Sequence, residues 1–205
     1  MGSPRGRPRP FPPAQGLIAM PSVVFSMGVS VDGFIAGPGG EIDWSAPDEE
    51  LHRFHNEQAR ELAAHFCGRR LYEEMRYWDT PEARAGGEAE REFAEVWQAL
   101  PKVVFSSTLR SVEGNARLAA GRIEEEVARL REEAGGDLAV GGAGLAASFA
   151  RAGLIDDYRL FVNPVVLGGG TPFFPPLEQR VELELVETRT LGSRVVYLRY
   201  AVRRP

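Results

Sequence analysis

The chain has 205 residues, 43% apolar and 26% charged, with a formal net charge of −5. That describes one globular domain able to bury its own core and excludes disordered, fibrous and repeat proteins. The acidic balance argues against sequence-independent nucleic-acid binding, and no run approaches the roughly 18 apolar residues of a membrane helix.

Residues 1–20 carry Arg5, Arg7 and Arg9, no acid, and five prolines between Pro4 and Pro13. Such a segment buries too little apolar surface to offset its ordering entropy, so it reads as a disordered tail ahead of a domain at 21–205. A strand is predicted over Val23–Val29. In the following S-V-D-G, Asp32 either caps the turn before Gly33 or faces a substrate. Apolar residues at three- and four-residue spacing predict helices over Pro47–Ala64, Arg69–Tyr77, Glu88–Leu100 and Arg122–Glu133. Asp48 and Glu49 stand at the start of the first, where acids complement the helix dipole. Short apolar runs predict strands at His65–Gly68, Lys102–Ser106, Asp137–Gly141 and Tyr158–Val166, with a short helix from Gly144 to Ala152 before the last. The segment Arg180–Val202 alternates with period two about Leu191-Gly192-Ser193, an antiparallel hairpin closing a mostly parallel sheet. Strands alternating with helices in this way give an α/β domain, expected as a three-layer α/β/α sandwich.

Val140–Phe149 reads V-G-G-A-G-L-A-A-S-F, following an apolar strand and opening a helix. Free amides and the positive end of the dipole suit a phosphate there. Gly142, Gly144 and Ala147 satisfy G-x-G-x-x-A, but the dinucleotide fingerprint needs an acid about 20 residues on. Phe161, Val162 and Asn163 stand there instead.

Five segments occur in order: SMGVSVDGFIAGPGGEIDW, CGRRLYEEM, LPKVVFSSTL, VGGAGL and DDYRLFVNPVVLGGGTPFF. Together, from about Ser22 to Val202, they resemble the dihydrofolate-reductase-like superfamily. The likeness is closest to the C-terminal reductase domain of the bifunctional riboflavin-biosynthesis deaminase-reductase. The resemblance implies a reductase using NADPH. Gly28, Ile35 and Ala36 would contact the nicotinamide, and a flat ring against backbone needs a residue as small as Gly28. Gly68, Arg69, Arg70, Ser106 and Ser107 would hold the 2′-phosphate and its neighbours, and Gly141, Gly142, Ala143, Gly144 and Leu145 the pyrophosphate. Many relatives carry Thr at Leu71 and Arg at Ser107, departures that touch the phosphate site. On the substrate side the resemblance points to Asp32, Trp44, Asp48, Glu49, Asn163, Gly169 and Gly170. Trp44 and Pro47-Asp48-Glu49 look like W-x-x-P-x-acid of dihydrofolate reductases, which would make Glu49, with Asp32, a catalytic carboxylate.

Other readings compete. His52 and His55 stand three apart beside Glu49, but no third ligand set appears, so no metal is expected. Cys67, the single cysteine, reads as an inert packed thiol in a chain suited to a reducing cytoplasm. Tyr72, Trp78 and Trp97 read as core. The Gly168–Thr171 run offers amides to a substrate phosphate or simply makes a tight bend. The expected activity is reduction of a pyrimidine- or pterin-like molecule, resembling the 5-amino-6-(5-phosphoribosylamino)uracil reductase step. The alternatives are reduction of dihydrofolate or another heterocycle, and a non-catalytic ligand-binding protein on the same fold. The long C-terminal edge strand is expected to be covered by homodimerisation.

Overall fold

The computed structural model describes residues 20–133, 135–192 and 194–204. Apart from Met20, the tail expected at the N-terminus lies outside the described residues. Alternation of apolar runs and amphipathic stretches produces β1 (Val23–Ser30), β2 (Phe34–Ala36), α1 (Glu49–Arg60), β3 (Leu62–Gly68), α2 (Arg69–Met75), α3 (Pro81–Arg84), α4 (Glu88–Ala99) and β4 (Lys102–Phe105). The second half holds β5 (Ala116–Leu118), α5 (Ile123–Glu133), β6 (Asp137–Gly141), α6 (Ala143–Arg151), β7 (Asp157–Asn163), β8 (Thr171–Pro172), β9 (Leu183–Thr190) and β10 (Val196–Val202).

Eight strands form one sheet in the order β5-β4-β3-β6-β1-β7-β10-β9. The first six pair in parallel, and β10 runs antiparallel to both β7 and β9. This is the mostly parallel sheet with a C-terminal antiparallel hairpin that the patterning implies.

Two boundaries differ from expectation. The first helix ends at Arg60, and Leu62–Ala64 belong to β3, where Leu62 pairs with Asp137 and Ala64 with Leu138. Long-range pairing there outweighs the helical propensity of Leu-Ala-Ala. The seventh strand stops at Asn163, because Pro164 has no N–H to continue a ladder bonded on both sides. The hairpin strands start at Leu183 rather than Arg180, with a register shift at Arg199/Tyr200. The two- and three-residue strands β2, β5 and β8 and the four-residue α3 are too short to leave a period in the sequence.

The sheet is covered unevenly. One face carries the main apolar cluster, in which Phe25, Phe66, Leu138 and Phe149 pack with Val127 of α5. The other face carries two separate clusters. Leu51, Phe161, Leu191, Val195 and Tyr197 gather where α1 lies on β7 and β10, and Cys67, Tyr72, Trp97, Leu100 and Val104 where α2 and α4 lie on β3 and β4. The strands between those clusters are β6 and β1.

Candidate functional site

On this second face β1 and β6 present, beside Val24, small or polar groups. Side chains alternate along a strand, so Val24 and Ser26 of β1 share the face with Ala139 and Gly141 of β6. The floor is therefore low between two higher clusters, and a cavity of about 380 Å³ opens over it. Its walls are His52 and His55 of α1, Leu71 and Met75 of α2, and Phe93 and Trp97 of α4. A Cβ on Gly141 would overlap Leu71 Cδ2 and stand 2.6 Å from His65 Cε1, so a side chain there would close the crevice. A Cβ on Gly28 would sit 3.3 Å from Ser45 Cβ and 3.5 Å from Asn163 Nδ2.

All three histidines of the chain line this cavity. Burial pushes His55 and His65 down to about 4, and it lowers His52 as well. They stand neutral at pH 7, each with one ring donor and one acceptor. His65 Nδ1 lies 3.1 Å from the Phe66 carbonyl and 3.3 Å from Cys67 Sγ, and burial pushes the Cys67 thiol up to about 12. That thiol is inert.

The cavity runs toward the C-terminal edge of the parallel strands, where open α/β sheets bind ligands. Gly142, at φ +87°, caps α6, and a Cβ on it would lie 3.6 Å from Leu71 Cβ and 3.9 Å from the Gly68 nitrogen. Gly68 caps α2. Two helix N-termini, one from each face of the sheet, thus stand side by side at the C-terminal ends of β3 and β6. Arg69 reaches across to the loop after β4, donating to Thr108 Oγ1 at 2.9 Å and to Glu73 Oε1 at 2.8 Å. Ser106 Oγ accepts from the Thr108 and Leu109 amides at 3.2 and 3.0 Å, holding that loop in place. Gly68, Arg69, Ser106 and the turn from Gly141 to Leu145, scattered through the sequence, make one rim. Arg70 and Ser107 are exposed beside it.

The model of the RibD C-terminal domain family matches residues 21–197. The chain belongs to that family. It is 32% identical over 180 residues to the uncharacterized protein YyaP of Bacillus subtilis (strain 168), covering 87% of this chain and 93% of that one. Among solved structures it resembles a Shewanella sp. PV-4 protein provisionally assigned to riboflavin biosynthesis, with a TM-score of 0.71, 22% identity, and coverage of 90% of this chain and 100% of that one. The dihydrofolate reductase of Enterococcus faecalis has the same fold, with a TM-score of 0.58 at 15% identity over 89% of this chain and 97% of that one. The three-layer α/β/α arrangement of dihydrofolate reductase is thereby shown for this RibD C-terminal domain.

Several residues singled out for the substrate side are engaged elsewhere. Asp32 accepts the Leu167 and Gly168 amides at 3.1 and 2.7 Å. A Ser30 hydrogen bond and those amides hold its carboxyl below the usual range, so it stays ionised as a turn cap. Glu49 is exposed and pairs with Arg53 at 2.6 Å on the outer side of α1, bordering a different groove with Arg189 and Leu191. It does not line the cavity, so the role of pterin carboxylate does not carry over. The reason is its place along α1: residues three apart share a helix face, but Glu49 is the first residue of the helix and stands exposed beyond the cavity that His52 lines. Asp48 caps α1 through Oδ1 to the Leu51 amide at 2.9 Å. Trp44 donates to the Glu41 carbonyl at 3.1 Å. Asn163 is buried beside Gly28, and its Nδ2 donates to the Phe161 carbonyl at 2.9 Å. Gly169 and Gly170 turn the chain into β8, which pairs with β2. Ile35 is buried in the main core cluster, so its side chain does not face the rim; Ala36 pairs with Thr171.

Sequence reasoning passed over Ser26, Thr108 and Ala139, met Leu71 only as a departure at the phosphate site, and treated His52 and His55 only as metal candidates. The alternation of β1 and β6 marks Ser26, Ala139 and Gly141 as sharing a face only once their register is known.

Proposed function

We propose that the chain is an NADPH-dependent reductase of a small heterocyclic, pyrimidine-like molecule. The observation that carries this is the junction of a phosphate-suited rim with an enclosed crevice whose floor lacks side-chain bulk. Gly141 lets Leu71 and His65 close against the sheet where the crevice meets the rim, Ser26 and Ala139 keep the floor low, and the amides opening α6 suit a pyrophosphate. Arg69, fixed by Thr108, offers charge-assisted donors to a 2′-phosphate. The family relationship and the resemblance to riboflavin-pathway reductases support the same reading. NADPH supplies the hydride, so the protein needs no nucleophile. Ser26, Gly28 and Gly141 orient the reacting rings, the aromatic walls exclude water, and neutral His52 or His55 holds a polar edge of the substrate.

The test is cofactor choice. Losing a charge-assisted hydrogen-bond donor of this kind lowers affinity about 10- to 100-fold. Arg69→Ala is therefore expected to weaken NADPH by that factor while leaving NADH nearly unchanged, read as dissociation constants by calorimetry. Equal small losses for both cofactors would place the phosphate clamp elsewhere, and no binding of either would remove the reductase reading.

A further inference from the structure

The chemistry of the crevice narrows its substrate further than its family does. Among the described residues that line it there is no aspartate or glutamate, and Arg159 is its only cationic side chain. Arg159 is 4% exposed and lies 3.4 Å from both Asp157 Oδ1 and Asp137 Oδ2. Asp157 in turn binds Arg199 at 2.6 Å. The positive charge of the guanidinium is thus paired with carboxylates, through Nε and Nη2, before any ligand arrives. The nearby Lys102 is also committed: buried, it donates to the Trp97 carbonyl and lies 4.8 Å from the centroid of that ring. The Gly168 amide, a donor the sequence offered to a substrate phosphate, is bound to Asp32.

What remains is apolar and flat. Trp78, Phe93 and Trp97 form the wall beside His52 of α1, with Trp78 and Phe93 centroids 4.7 Å apart at 72° and Phe93 and Trp97 nearly parallel. The polar groups on offer are neutral: Ser26, Gln58 and the histidines. A cavity of 380 Å³ has the size of roughly a dozen waters, enough for a bicyclic or tricyclic ring.

Resting on the NADPH-reductase part of the reading above and replacing its pyrimidine-like substrate, we propose that this cavity takes an uncharged, fused-ring aromatic acceptor, such as a quinone or heteroaromatic, and rejects phosphorylated ribosyl-pyrimidines. A phosphate dianion taken into the crevice would find no free cation and would lose its hydration uncompensated. In the reaction the ring gains a hydride from NADPH and a proton from water, and NADP⁺ leaves. A quinone thereby becomes a hydroquinone.

Trp78 and Trp97 make binding readable without turnover. Titrating the cofactor-free protein with 2-methyl-1,4-naphthoquinone is expected to quench tryptophan fluorescence saturably. The 5-amino-6-(5-phosphoribosylamino)uracil of the riboflavin route is expected to bind at least about 100-fold more weakly, the cost of one buried unpaired charge. Ala139→Leu and the milder Ala139→Val raise the floor and are expected to abolish quenching while NADPH affinity stays within about two-fold, since neither touches the rim. Tighter binding of the phosphorylated pyrimidine, or quinone quenching unaltered in whichever of these variants folds, would overturn the inference even if NADPH binds. Failure of NADPH to bind, with quinone quenching intact, would sink the reductase reading and leave the cavity assignment standing.

Discussion

Individual side chains show how little residue type alone decides. Asp32 and Glu49 were the acids most suggestive of proton chemistry, yet one caps a turn and the other pairs with Arg53 at the surface. The histidines went the other way, from isolated residues to the lining of a shared cavity. Their burial carries a pH consequence. An unfolded histidine titrates near 6.5, whereas His55 and His65 are held to about 4. The folded state therefore binds these protons less readily than the unfolded chain. Their contribution to stability is full above about pH 6.5 and is lost as pH falls toward 4. Both line a cavity open enough to admit water, which screens part of the effect. Together they are expected to remove about 2 kcal/mol between pH 7 and pH 5. Urea midpoints at the two pH values measure this, and His55→Gln with His65→Gln should flatten the slope. An unchanged slope in the double variant would show that other groups govern it.

At the scale of elements, β-strand pairing rather than local propensity fixed the boundaries. The first helix yields Leu62–Ala64 to β3, and β7 ends where Pro164 interrupts its ladder. The three-glycine turn after β7 has a structural reason of its own. Gly170 has φ +128°, and a Cβ there would run into the Ala36 carbonyl oxygen and lie 2.8 Å from the Gly37 carbonyl carbon. The pairing of β2 with β8 requires that approach. Gly170→Ala is expected to cost about 2–4 kcal/mol from strain and displaced backbone, read by chemical denaturation. A loss below about 0.5 kcal/mol, ordinary for a surface change, would mean that the β2–β8 pairing is dispensable. The strand-and-helix alternation was legible in the sequence because it is a local period. The floor of the crevice was not, because Ser26 and Ala139 lie more than a hundred residues apart and meet only through the parallel register of β1 and β6.

For the whole molecule, the sheet ends at β9, an eight-residue edge with Leu185 53% and Val186 52% exposed. The alternation over Arg180–Val202 had suggested a strand with one apolar side. Leu183 does pack against the core, while Leu185, two residues on and on the same side, is left half-exposed. An apolar edge of this length invites pairing with a second copy. We propose a homodimer across β9. Light scattering at micromolar concentration should return twice the 22.5 kDa chain mass, and Leu185→Lys should shift it toward the monomer. A monomer in the unmodified protein would refute this.

Composition, period and glycine placement by themselves determined the α/β class, the C-terminal hairpin and the turn that opens α6, while the resemblance of five ordered segments pointed to the family. Each of these is local, written in consecutive residues and their spacing. Only the tertiary structure decided which acids face outward, that Arg69 meets Thr108, and that three histidines and the indole of Trp97 enclose one cavity. Those facts depend on which strands lie side by side, in what register and at what helical angle. That information is set by packing across the whole chain, and no window of the sequence contains it.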